Sequence, residues 1–143
     1  MSDTLIHERY IKIERTLEGV EDAKQMVQNF LTENNINEDL ISHFELSVYE
    51  AAVNVVEHGD REFNNHPIHI HIKITSVGIT AKISSIGEKF DPLKKKLPDI
   101  VNHYKSGSSH GLGIYFIRTL MDKVNYSREG DMNVLTLTKN NNV

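Results

Sequence analysis

Two side chains near the middle of the chain have the types and spacing for phosphate chemistry. Glu50 and Asn54 lie in the segment ELSVYEAAVNVVEHG. In a helix, residues four apart sit one turn apart on the same side. An amide oxygen can complete the oxygen shell that Mg²⁺ prefers, and a carboxylate can accept the proton of an attacking hydroxyl or water. Such a pair would serve a metal-bound triphosphate. The competing reading is that an amphipathic helix needs a polar side, and spacing alone does not separate the two.

A second candidate is SGSSHGLG, residues 106 to 113, which opens directly into a helical pattern. Free backbone N–H groups and the helix dipole favour phosphate at such a place, and Gly111 and Gly113 permit close backbone approach. The stretch lacks the Gly-Lys-Ser/Thr of a P-loop and does not follow a strand, so by itself it equally describes a flexible loop. His69 and His71 are two apart on one strand face. They could approach a metal, but no third ligand is suitably spaced, and an exposed face or partner surface is expected. Asp91, between Phe90 and Pro92, reads as a turn residue, and Phe90 as a packing anchor. No paired-carboxylate or Ser/His/Asp arrangement stands out.

These residues need elements to position them. Loose alternation from about Ile6 to Thr16 predicts a first strand. Val20, Ala23, Val27, Phe30 and Leu31 share one helical face, and Asn34 and Asn35 break the pattern. Asn37 is the expected N-cap of the next helix, with Glu38 and Asp39 in its first turn and Gly59 at its end. On that helix Ile41, Phe44, Val48, Ala52 and Val55 form an apolar stripe. Ser47, Glu50, Asn54, Glu57 and His58 fall on the opposite half. PIHIHIKIT alternates as a half-buried strand, and Val77-Gly78 turns into another that carries Ile79, Ala81 and Ile83 on one face. Gly87 to His110 reads as a long irregular loop, including the solvated run Lys94, Lys95 and Lys96. A helix from about Leu112 to Met121 precedes two strands, Lys123–Arg128 and Met132–Lys139, joined at Glu129-Gly130-Asp131. The order β, α, α, β, β, loop, α, β, β predicts a single α/β domain over residues 1–143. Its expected form is a two-layer sandwich of a mixed, mostly antiparallel sheet covered on one face by helices.

Composition narrows the function. With 143 residues and 38% hydrophobic content, the chain can bury a core without metal or disulfide. The absence of cysteine excludes a disulfide scaffold, a thiol nucleophile and a cysteine-ligated metal. A net charge of −4 disfavours general nucleic-acid binding. No signal peptide or membrane-length apolar run is visible, so a cytoplasmic protein is the expectation.

Taken in order, ELSVYEAAVNVVEHG, ISSIGEKFDP and SGSSHGLGIYFIRTLMDKV resemble the anti-sigma-factor serine kinases, small members of the GHKL superfamily with the Bergerat ATP-binding fold. The first is similar to the family's E-x-x-x-N box followed by His-Gly. The second is similar to its D-x-G-x-x-F-D-P box, and the third to the G-x-G box that opens a helix ending in L-M-D. The resemblance implies ATP and Mg²⁺ as cofactors, Glu50 as general base, Asn54 as Mg²⁺ ligand and Gly87 close to the adenine. It places Ser109, His110, Gly111, Leu112 and Gly113 along the phosphates, with Leu93 to His110 as a lid. Two positions depart from the pattern. Ser85 stands where the family's first box opens with the adenine-binding aspartate, and Asn133 where a threonine usually lies near the adenine. Losing a charge-assisted hydrogen bond costs about 1.5–3 kcal/mol, roughly ten- to hundredfold in affinity.

The implied function is an anti-sigma factor that binds a sigma factor and phosphorylates a serine or threonine of an anti-anti-sigma (STAS) antagonist. The alternative is a partner-binding switch of the same fold with a degenerate nucleotide pocket. A detached histidine-kinase ATPase domain is a third reading, less expected because no phosphoacceptor helix pair precedes the first strand. The family often pairs, so a homodimer is expected, through the exposed face of the Ile68–Ile74 strand or the edge of the first strand.

Overall fold

The computed structural model describes residues 4–59, 61–94 and 112–140. The chain opens with β1 (Leu5–Ile13), which turns Ile11 and Ile13 inward. Thr16 then caps α1 (Leu17–Glu33), its hydroxyl accepting from the Gly19 amide at 3.0 Å. This cap starts the helix ahead of Val20, where its apolar periodicity begins. Val20, Ala23, Val27, Phe30 and Leu31 are buried, as their spacing predicts. Asn35 takes a left-handed φ of 59° and reverses the chain. Asn37 caps α2 (Glu38–His58), its side-chain oxygen accepting from the Leu40 amide at 2.9 Å. Gly59 ends that helix with an ordinary φ of −79°. Glycine is required there by space, since a β-carbon would stand 2.4 Å from the Val55 carbonyl oxygen.

The remaining elements are β2 (Ile68–Thr75), β3 (Gly78–Ile86), α3 (Gly113–Leu120), β4 (Lys123–Glu129) and β5 (Met132–Asn140). Gly130, at φ 63°, supplies the left-handed residue of the β4–β5 hairpin. The strands form one sheet in the order β1-β2-β3-β5-β4. All four pairings are antiparallel, so the mixed sheet expected from the sequence is antiparallel throughout. Tight hairpins make β2–β3 and β4–β5, and the two helices between β1 and β2 bring the chain back beside its start, running the other way.

Alternation decides which face is covered. Ile68, Ile70, Ile72, Ile74, Ile79, Ala81, Ile83, Leu135 and Leu137 point into the helix layer and are buried. The other face carries Tyr10, His69, His71 and Lys73. His71 pairs with Glu8 at 2.8 Å and stacks on Tyr10, with ring centroids 3.8 Å apart. No cluster of metal-ligand type occurs among the described residues, and His71 is engaged with protein partners.

One helical assignment needs correction. Ser47, expected on the polar half of α2, is fully buried, and its hydroxyl has no hydrogen-bond partner. Both α1 and α3 pack against α2, and the start of α3 lies against Glu50. The polar half of α2 is therefore partly roofed, which bears directly on Glu50.

Candidate functional site

A cavity of about 190 Å³ lies where α2 meets the ends of β3 and β5. α2 contributes Ala51, Asn54, Val55 and His58; β3 contributes Ile83 and Ser85. Gly87, Phe90 and Pro92 form a rim, and Tyr126, Asn133 and Leu135 close the far wall. Sites that enclose a drug-sized ligand usually measure about 300–1,000 Å³. The volume here suits one flat ring system between apolar walls, with the rest of a larger ligand outside.

Asn54 lines this cavity half-buried, and its amide makes no hydrogen bond among the described residues. Ser85 is 3% exposed and faces the same space, its hydroxyl likewise without a described partner. Gly87 is buried on the rim. Its amide donates to the Asp131 carbonyl at 3.1 Å, and its carbonyl accepts from Arg128 at 2.6 Å.

Asn133 lies opposite Ser85 in the β3–β5 register. Its side-chain oxygen accepts from the Phe90 amide at 3.0 Å, from the Tyr126 hydroxyl and from Arg128 at 3.3 Å. Its side-chain nitrogen donates to the Glu88 carbonyl at 2.8 Å. The amide thus holds the rim in place, and its hydrogen-bonding capacity is largely taken up by the protein. Phe90, expected as a packing anchor, is 40% exposed at that rim because its backbone is tied to Asn133. Asp91 behaves as a turn residue, its carboxylate accepting from the Leu93 amide at 2.9 Å.

Glu50 lies one turn before Asn54, outside the cavity lining and against the start of α3. A β-carbon on Gly113 would stand 2.7 Å from its carboxylate oxygen. Gly113 therefore leaves room for Glu50 at the first residue of the helix. Burial raises the Glu50 carboxyl above the ordinary range, and repulsion from Glu57 raises it further. A carboxyl tuned upward is better matched to accepting a proton near neutral pH than an ordinary one. Leu112 precedes α3 and offers its carbonyl to the Phe116 amide at 3.0 Å. Ser109, His110 and Gly111 lie outside the described residues, as does the expected lid beyond Lys94.

These groups fit a nucleotide with an oxygen-coordinated cation. Ala51, Val55, Ile83 and Leu135 offer apolar walls to a base, while Asn54 and Ser85 offer polar atoms that no described residue holds.

The cavity also contains residues that motif reading passes over. Arg15 is 7% exposed and lines it, donating through Nη1 to the carbonyls of Phe63 at 3.1 Å and Ile86 at 2.9 Å. It continues the inward series of Ile11 and Ile13. Tyr126 also lines the cavity and continues the inward series of Val124 within β4. Period-two alternation, within β4 for Tyr126 and carried past the end of β1 for Arg15, is the available signal.

The profile of the histidine kinase-like ATPase domain family matches residues 13–139. The serine-protein kinase RsbW of Halalkalibacterium halodurans is 31% identical over 108 residues, covering 71% of this chain and 63% of that protein. RsbW of Bacillus subtilis strain 168 is 28% identical over 101 residues, covering 67% of this chain and 62% of that protein. The chain thus spans somewhat under two thirds of the length of these relatives. The fold matches a structure of RsbU and RsbW domains from Mycobacterium tuberculosis with a TM-score of 0.70 at 14% identity, over 94% of this chain and 32% of that one. It also matches the SiaB–SiaC complex from Pseudomonas aeruginosa with a TM-score of 0.63 at 12% identity, over 94% of this chain and 89% of that one. With the family profile running from the end of β1 to the end of β5, over the helices and cavity just described, the chain belongs to the histidine kinase-like ATPase domain family.

Proposed function

We propose that the protein is an anti-sigma factor with protein kinase activity. It binds a sigma factor and, with Mg–ATP, phosphorylates a serine or threonine of a STAS-type antagonist. The observation that carries this reading is the pairing on one face of α2. Glu50, raised by burial, sits against the start of α3, and Asn54, its amide unpartnered among the described residues, lies one turn on in the cavity wall. The named RsbW serine-protein kinases among its relatives support the same chemistry.

Mg–ATP, when bound, supplies the phosphoryl group. Asn54 would hold the cation through its amide oxygen, and Glu50 would accept the proton of the attacking hydroxyl. Catalysis then rests on positioning and electrostatics. Ser85 and Gly87 would border the base in the cavity they line, and Asn133 would act by holding the rim. Leu112 and Gly113, at the start of α3, would lie along the phosphates, and the motif gives Ser109, His110 and Gly111 the same role. Phosphate on the antagonist weakens its grip by adding negative charge at the interface. Pairing between copies is supported by the outer edge of β1, where Leu5 and Ile6 are 47% and 55% exposed. The proposed location is the cytoplasm; no described helix is long and apolar enough to cross a membrane.

The test is to incubate the purified protein with γ-labelled Mg–ATP and each STAS-domain protein of its own organism. Label should reach a serine or threonine of one of them and be lost in Glu50→Gln. Transfer to none would overturn the kinase reading. A second reading, a partner-binding switch without kinase activity, is favoured by Ser85 and by the occupied hydrogen bonds of Asn133. Micromolar ATP binding lost in Asn54→Ala would count against it.

A further inference from the structure

The groups that face the cavity also bear on which base it takes, an inference that rests on the nucleotide-binding reading above. Ser85 is 3% exposed, borders the cavity, and has no described hydrogen-bond partner. Its cross-strand neighbour Asn133 and the rim residue Gly87 are engaged. Asn133 is spent on the rim and on Tyr126, and the Gly87 amide and carbonyl are bound to Asp131 and Arg128. Glu88 brings a carboxylate to the lining, but it is exposed at the rim rather than buried beside Ser85.

The chemistry of base selection follows from this inventory. A buried carboxylate only accepts, so at this place it would demand a base edge that carries an amino group. A serine hydroxyl rotates and does both. It accepts from the 6-amino group of adenine or donates to the 6-oxo group of hypoxanthine or guanine. Asn54, which also lines the wall and has no side-chain partner among the described residues, is likewise both donor and acceptor. We propose that Ser85 makes this a purine site with little preference between 6-amino and 6-oxo bases, so that the protein binds Mg-inosine triphosphate about as well as Mg–ATP.

Titration calorimetry of the full chain with Mg–ATP and with Mg-inosine triphosphate tests this, because the two bases differ at the 6-position and the adjoining N1 proton. Dissociation constants within about tenfold of each other are expected. Ser85→Asp should move the ratio toward ATP by about tenfold or more, since a carboxylate facing a carbonyl loses its hydrogen bond and is repelled. A preference beyond tenfold for either nucleotide in the natural chain would overturn the inference while leaving the nucleotide site standing. Binding of neither would overturn both. If Ser85→Asp does not fold, the ratio in the natural chain decides alone.

Discussion

Replacing Gly113 with alanine separates stability from chemistry at this site. The new β-carbon would stand 2.7 Å from the Glu50 carboxylate oxygen, whereas ordinary contact begins at 3.4 Å. The carboxylate must therefore withdraw by about 0.7 Å, from the distances just given. The atom in the way is the far end of a flexible side chain, so rotation relieves the overlap cheaply. Alanine is also a better helix former than glycine by up to about 1 kcal/mol. Stability should accordingly change by no more than about 1 kcal/mol, a shift in Tm of about 2–4 °C. The position of the base changes much more in its effect, since a misplacement on the order of 1 Å can cost about 10²-fold in rate. Two assays read this. Carbon-detected NMR titration of Glu50 should show its raised pKa moving back toward the ordinary carboxylate range as the group leaves its desolvated place. Phosphoryl transfer to the antagonist should fall by up to about 10²-fold, mainly in kcat. An unchanged Glu50 titration in a folded Gly113→Ala protein would refute the argument that the missing side chain positions this carboxylate.

Two further outcomes follow from the same geometry. Because folding raises the Glu50 pKa, the native state holds the proton where the unfolded chain has released it. Stability from this group is therefore lost as pH rises from the ordinary glutamate range through the raised folded value. Glu50→Gln should raise Tm above that window and leave it unchanged below, as thermal melts across pH will show; a Tm that falls at neutral pH would contradict the sign. Asn133→Ala removes the bracket on the rim and strands the Phe90 amide and the Glu88 carbonyl. It should cost about 1–3 kcal/mol, read by urea unfolding, and weaken nucleotide binding, whereas an unaltered midpoint would show that water replaces the bracket without loss.

Much of the architecture was legible because its signals are local. The alternation of Ile68, Ile70, Ile72 and Ile74, the Asn37 cap and the Gly130 turn each depend on neighbours in the chain, and each stands where periodicity puts it. Ser47 is buried although it falls on the polar half, because a helical wheel distinguishes two halves but not which helices pack over them. Asn133 looked like a ligand-facing residue because its partners, Phe90, Tyr126 and Glu88, meet it only through the β3–β5 and β4–β5 pairings. Arg15 belongs to no motif, although its place in the β1 alternation already pointed inward. The Glu50 and Asn54 pair was visible in spacing, as was Glu57 two turns on along the same half of α2, but the burial that leads the upward shift of Glu50 is supplied only in three dimensions.

The placement of β1 has a consequence for how the molecule comes apart. Ile13 pairs with Ile68, and both α1 and α2 lie between them in the chain, whereas the β2–β3 and β4–β5 pairings join close neighbours. Closing that long loop yields contacts with a single neighbouring strand, so β1 should dock late in folding and fray early. Arg15 continues β1, and its guanidinium bridges the carbonyls of Phe63 and Ile86 at the cavity wall. When β1 lifts, that clasp goes with it and the wall loosens. A ligand seated in the cavity would thus slow hydrogen exchange at β1 amides it never touches.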